Sequence, residues 1–212
     1  MLKAVIFDFD GTIADTLPVC VDSFRQTVEP ILGRALSLDD VRTYFGPAEE
    51  GVFQKHFPER ADELLQIYYE RYAALQAEGS ELAPGILDLL RELKARGIRI
   101  ALVTAKGAVT CQISLDYYGI ADLFEQVAVG SPTGRVKADQ IAQILQSWGV
   151  EKSEAVYVGD SPKDAISAHK AGVEAWGAAW FPSAEPEKMK ETKFERIFYS
   201  VDDMRACLPL DA

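Results

Sequence analysis

Hydrophobic positions change their period along this chain, and each change marks an element. Ala4 to Phe7 is an unbroken apolar run without Gly or Pro, the pattern of a strand buried on both faces of a parallel sheet. From about Asp15 to Ser80 no β-run appears and helical periods follow one another. The first runs to Leu32, with Pro18 in its opening turn, where a missing N–H costs little. Ser37 and Asp40 form a capping box that opens a second helix reaching about Phe45. Gly46-Pro47 ends it. A third spans about Ala48 to His56 with Gly51 inside it. In the fourth, Ala61, Leu64, Leu65, Tyr68, Tyr72 and Leu75 share one face, while Glu63, Gln66, Glu70 and Gln76 lie elsewhere.

After Ala83-Pro84-Gly85 the chain alternates between strand and helix periods. Ile86 to Arg96 is an amphipathic helix stopped by Gly97, and Ile98 to Val103 a strand ending in Thr104. A helix from about Val109 to Tyr118 and a strand from Phe124 to Val129 precede the loop Gly130-Ser131-Pro132-Thr133-Gly134. Ala138 to Trp148 is helical, Ala155 to Val158 is a strand, and Pro162 starts a helix that Gly172 closes. Val173 to Ala179 reads as a strand, a Pro-rich polar surface stretch follows, and Arg196 to Tyr199 is a short last strand. This alternation predicts an α/β fold with a doubly wound parallel sheet, because parallel strands need covered faces and right-handed crossovers. Residues 1–14 and 81–212 would form that core, and residues 15–80 a small all-helical domain inserted after the first strand.

Composition narrows the function more than the fold. The chain has 212 residues and a formal net charge of −11, so no general basic surface is available for nucleic acid or anionic membrane. A phosphorylated ligand would have to be drawn in locally, by a metal or a few placed cations. Cys20, Cys111 and Cys207 are odd in number and lack a Cys-x-x-Cys pair, which suits free, buried thiols in a reducing cytoplasm. No run approaches the roughly 18 apolar residues of a membrane span, and the N-terminus has no signal-peptide pattern.

Candidate chemistry sits at strand ends. Side chains alternate along a strand, so Asp8 and Asp10 leave the carboxyl end of the first one toward the same side, with Phe7 and Phe9 turned away. Ligands of open α/β sheets bind in that crevice. Asp8-Phe9-Asp10-Gly11-Thr12 resembles the first motif of the haloacid dehalogenase superfamily of phosphotransferases. Thr104 matches the Ser/Thr of its second motif, Lys137 the lysine of its third, and Gly159-Asp160-Ser161-Pro162-Lys163-Asp164 its Gly-Asp-x-x-x-Asp motif. The resemblance spans nearly the whole chain.

That resemblance implies a Rossmann-like core under a C1-type helical cap, and a Mg²⁺-dependent phosphatase of small phosphorylated metabolites, similar to the phosphoglycolate phosphatase branch. Asp8 would attack phosphorus to give an aspartyl-phosphate, dividing one hard step into two. Asp10 would protonate the leaving oxygen and then deprotonate the hydrolytic water. Asp8, the Asp10 carbonyl and Asp160 would hold the ion, with Asp164 in support. Thr104, Lys137, Gly11, Thr12 and Ala105 would meet the phosphoryl group. A phosphomutase on the same core and a catalytically silent phosphate-binding module are the alternatives; a dehalogenase would have no use for Asp10 in attack on carbon.

Two positions depart from many relatives, which carry Asn where Ala105 stands and Pro where Ala138 stands. The first removes a donor to the phosphate or the nucleophile, which Lys106 would partly replace. The second affects only backbone stiffness. His56 and His169 read as surface or packing residues, Trp148, Trp176 and Trp180 as core, and Tyr68, Tyr69 and Tyr72 as helix packing. The loop Phe45 to Glu50 would face the metal and filter substrates, with Arg42 the nearest cation for a second anionic group.

Overall fold

The computed structural model describes residues 1–134 and 136–208; residue 135 and residues 209–212 lie outside it. The apolar run at the N-terminus forms β1 (Ala4–Phe7), every residue of which is fully buried. Burial follows from its position. β1 pairs in parallel with β2 (Arg99–Val103) on one side and β4 (Ala155–Gly159) on the other, Phe7 lying opposite both Leu102 and Val158. With β3 (Gln126–Ala128), β5 (Glu174–Ala178) and β6 (Arg196–Phe198) the strands form one parallel sheet in the order β3-β2-β1-β4-β5-β6. The chain winds outward from β1 through β2 and β3, then returns to lay β4 against the free side of β1. The two halves therefore diverge at β1, and the crevice they leave opens at its carboxyl end.

Alternation along the strands supplies the two faces. Val5, Phe7, Ile100, Leu102 and Val158 pack under α5 (Ile86–Ala95), α6 (Ala108–Tyr118) and α10 (Val201–Ala206). Ala4, Ile6, Val103 and Tyr157 pack under α7 (Lys137–Trp148) and α8 (Pro162–Ala171). Such double coverage is what lets β1 be apolar throughout.

Between β1 and α5 lie α1 (Leu17–Leu32), α2 (Leu38–Tyr44), α3 (Glu49–His56) and α4 (Ala61–Gly79). They have a core of their own, in which the rings of Phe24, Phe53, Tyr68 and Tyr72 follow one another at centroid spacings of 5.8, 5.6 and 6.2 Å. The Ser37–Asp40 capping box is present, with the Asp40 N–H donating to Ser37 Oγ at 3.1 Å and the Ser37 N–H to Asp40 Oδ2 at 2.9 Å.

Several expectations are corrected. The helical period puts Gln76 outside the packed face of α4, but it is fully buried, because this last stretch of the helix lies on α6 of the core, where Ser114 Oγ donates to Gln76 Oε1 at 3.0 Å. The polar stretch after β5 contains α9 (Pro186–Glu191), begun by a proline and anchored by the fully buried Met189. Ser200 caps α10, accepting from the Asp203 N–H at 3.0 Å, an N-cap spacing that apolar periodicity does not reveal. Cys20 and Cys111 are buried free thiols, whereas Cys207 is exposed. Among the described residues no helix is long and apolar enough to cross a membrane.

Candidate active site

The carboxylates come together because three segments end beside one another. Asp8 follows β1 directly, Asp160 follows β4, and Asp164 lies one turn into α8. Carboxylate oxygens of the three lie within 4.8 Å of one another. The approach depends on glycine at two places. Gly11 turns the loop at φ +75°, and a Cβ there would overlap the Asp160 carboxylate; one on Gly159 would overlap the Asp164 side chain. The loop is tied off by three N–H groups, those of Thr12, Ile13 and Ala14, which donate to the Phe9 carbonyl.

Lys137, the first residue of α7, supplies the cation. Its Nζ donates to Asp8 Oδ2 at 2.6 Å, to Asp164 Oδ1 at 2.7 Å and to the Tyr157 hydroxyl at 3.0 Å. Tyr157 in turn donates to the Val103 carbonyl at 2.9 Å, which fixes the ring beneath the ammonium. Asp164 also closes a capping box, its Oδ2 accepting from the N–H and Oγ of Ser161 at 3.0 and 2.6 Å. Burial alone would raise the Asp164 pKa, but Lys137 and these hydrogen bonds outweigh it and hold the carboxyl below its usual range.

At the other two carboxyls burial outweighs its compensation. Burial raises Asp8 to about 7, Lys137 opposing the shift and the charge of Asp164 adding to it. Asp160 is pushed well above the usual carboxylate range, first by burial and then by Asp164 and Asp8. Lys137 stays protonated, since burial would lower its pKa but Asp164 and Asp8 raise it further. One lysine thus faces three acids. An all-oxygen donor set with surplus negative charge suits a hard divalent cation such as Mg²⁺.

Asp10 faces a different set of partners. Its Oδ1 accepts from Thr16 Oγ1 at 2.5 Å and from Lys106 Nζ at 3.0 Å. The Lys106 ammonium thus points at Asp10, where a replacement for the missing Asn would have faced the phosphoryl group or Asp8. Thr104 is 1% exposed and its Oγ1 accepts from the Lys106 N–H at 3.2 Å, which leaves its own O–H to donate.

A cavity of ≈ 510 Å³ lies over these groups, bounded below by Asp8, Asp10, Thr104 and Asp160 and above by the Phe45 to Glu49 loop. Ala105 lines it; Gly11 and Thr12, expected at the phosphoryl group, do not. Thr12, within the loop, is fully buried, and its carbonyl accepts from Trp180 Nε1 at 2.9 Å. Arg42 lines the mouth and pairs weakly with Asp39 at 3.4 Å and with Glu185 at 3.5 Å. His56 meets the Tyr44 ring edge-on and His169 pairs with Glu195, both away from the carboxylates.

Sequence reasoning missed what holds the helical layer down. Glu49 accepts from the Gly107 N–H and from Thr110 Oγ1 at the start of α6, and the Ala48 N–H donates to the Ser131 carbonyl at 3.0 Å. Gly51 sits where the Pro132 carbonyl presses on α3, so close that a Cβ would overlap it. A glycine inside a helix was the available signal. Tyr157 and Thr16, which no motif marks, also went unread.

The family model described as haloacid dehalogenase-like hydrolase matches residues 5–178. The chain is 32% identical over 200 residues to a phosphoglycolate phosphatase of Rhodospirillum rubrum, covering 88% of this chain and 83% of that one. It is 27% identical to pyrophosphatase PpaX of Bacillus pumilus over 195 residues, covering 89% and 88%. Among solved structures, CbbY from Rhodobacter sphaeroides in complex with phosphate superposes with a TM-score of 0.76 at 25% identity, over 94% of this chain and 95% of that one.

Proposed function

The chain belongs to the haloacid dehalogenase-like hydrolase family, and from that membership we propose a Mg²⁺-dependent phosphatase that hydrolyses small phosphorylated metabolites in the cytoplasm. The observation that carries the reading is the convergence of Asp8, Asp160 and Asp164 around the Lys137 ammonium. Residues 15–80 act as a cap over the core built from residues 1–14 and 81–212.

A phosphate monoester resists attack because its dianion repels nucleophiles. The Lys137 ammonium beside Asp8 offsets that charge, and the Thr104 hydroxyl receives a phosphoryl oxygen. An Asp8 oxygen attacks phosphorus, the bond to the leaving oxygen breaks, and Asp10 gives that oxygen its proton. The product is an aspartyl-phosphate on Asp8. Asp10, now a carboxylate, takes a proton from the water that attacks phosphorus, and inorganic phosphate leaves with Asp8 regenerated. Asp8, Asp160 and the Asp10 carbonyl would hold Mg²⁺, with Asp164 orienting that set. When bound, the ion supplies further neutralisation and a fixed seat for the phosphoryl group.

Substrate choice belongs to the cap side of the cavity. Arg42 is placed to meet a second anionic group, and its two long ion pairs are weak enough to yield to one. The relatives named above carry hydrolytic activities, which favours a phosphatase over a mutase. The test is a screen of phosphorylated metabolites with Mg²⁺, scored for phosphate release. Activity on at least one ester or anhydride, lost in Asp8→Asn, is expected; isomerisation without release of phosphate would overturn the reading.

A further inference from the structure

Lys106 is a lysine with almost no contact with water. It is 4% exposed, and no exposure remains for its side chain. The ammonium lies 4.2 Å above the centroid of the Tyr72 ring and 5.9 Å from that of Phe9, and 3.7 Å from Cys20 Sγ. Its ion-pair partner is Asp10, at 3.0 Å. Burying an ammonium is costly unless it is paired, so a lysine in this place needs the Asp10 carboxylate.

The pairing has a direction. Lys106 Nζ and Thr16 Oγ1 both bond Oδ1 of Asp10. Among the described residues no donor is bonded to Oδ2, and Asp10 borders the cavity. The carboxyl is gripped by one oxygen, which the Cys20 thiol also approaches at 3.7 Å, and its other oxygen is left for the cavity. The Lys106 backbone is itself fixed, because its N–H is bonded to Thr104 Oγ1 and its carbonyl accepts from the Gly130 N–H at 2.7 Å. The lysine therefore has little freedom to leave Asp10 for a substrate.

We propose that Lys106 is a positioning residue for Asp10: with Thr16 it clamps one carboxyl oxygen so that the other faces the leaving group. This deepens the phosphatase reading and rests on Asp10 being its acid/base. Proton transfer depends steeply on the place of the acid, and a positioned general acid contributes about 10²–10⁴-fold. That contribution is largest for esters whose leaving oxygen cannot depart unprotonated.

The experiment compares kcat/KM, which reports the steps through departure of the leaving group, for phenyl phosphate and dinitrophenyl phosphate. Lys106→Met is expected to lose about 10²-fold on phenyl phosphate and roughly ten times less on the activated ester, with Lys106→Arg recovering part of the loss. Thr16→Val shares the same oxygen, so the double variant should lose less than the product of the two single losses. Should Lys106→Met fail to fold, Lys106→Arg and Thr16→Val carry the same comparison. Equal losses on both esters, or single effects that multiply, would overturn the role of Lys106 while the wild-type chain still releases phosphate. No release by the wild type from either ester would remove the phosphatase reading and this inference together.

Discussion

Replacing Lys137 by Met would leave three carboxyls crowded at the strand ends with no cation among them. The three carboxyls lie within 4.8 Å of one another, and when two of them are ionised they repel by at least about 3.5 kcal/mol at an effective dielectric of 20. The lysine offsets this from 2.6 Å to Asp8 and 2.7 Å to Asp164, with its side chain only 12% exposed. Breaking a buried pair by removing one partner typically costs about 3–5 kcal/mol. For a chain of this size, at about 2–4 °C per kcal/mol, the melting temperature should fall by roughly 6–20 °C. A divalent cation bound only by the folded form recovers about 2.7 kcal/mol at a hundred times its dissociation constant. The wild type gains this too, so the loss should be smaller in saturating Mg²⁺ than in EDTA only by as much as the variant, freed of the competing ammonium, binds the ion more tightly. The assay is a pair of thermal melts for each chain, with phosphate release measured alongside. A variant that melts with the wild type in EDTA would refute the assignment of Lys137 as the cation that holds these acids together.

Other perturbations address the metal and the cap. Mg²⁺ affinity, measured by calorimetry, should rise with pH through about 7, because Asp8 and Asp160 must lose protons to bind and burial holds both above the usual carboxylate range; affinity that does not change with pH would contradict this. EDTA should abolish turnover and added Mg²⁺ restore it; full activity in excess chelator would remove the metal from the account. Gly51→Ala would gain about 1 kcal/mol of helix propensity at an open site, but against the Pro132 carbonyl it should destabilise by about 1–3 kcal/mol. A raised melting temperature would mean that α3 and the Pro132 loop do not press together.

How far the sequence could be read depended on where each signal lay along the chain. The uniform apolarity of Ala4 to Phe7 could only suit a strand covered on both faces, and the helix-stopping glycines 119, 149 and 172 set helix ends that the structure reproduces. Asp8, Thr104 and Asp160 could be brought to one rim because all three end parallel strands. Contacts between segments distant in sequence were not legible. Gln76 looks solvent-facing until α4 is laid on α6, and Glu49 looks like an ordinary acid of a first helical turn until it reaches Gly107. The same holds for Lys106. Its neighbours suggest the phosphoryl group, but the Tyr72 ring and Asp10 that receive it come from other elements.

The central claim is that Asp8 itself takes the phosphoryl group, and the most direct measurement is an acid quench during turnover of an activated aryl phosphate by Asp10→Asn, followed by peptide mass mapping. Because that variant lacks the base for the second step, a phosphorylated peptide carrying Asp8 should accumulate, matched by a burst of one aryl alcohol per chain. Sustained turnover with no phosphoryl group on Asp8, or an Asp8→Asn chain that works at the normal rate, would contradict the account.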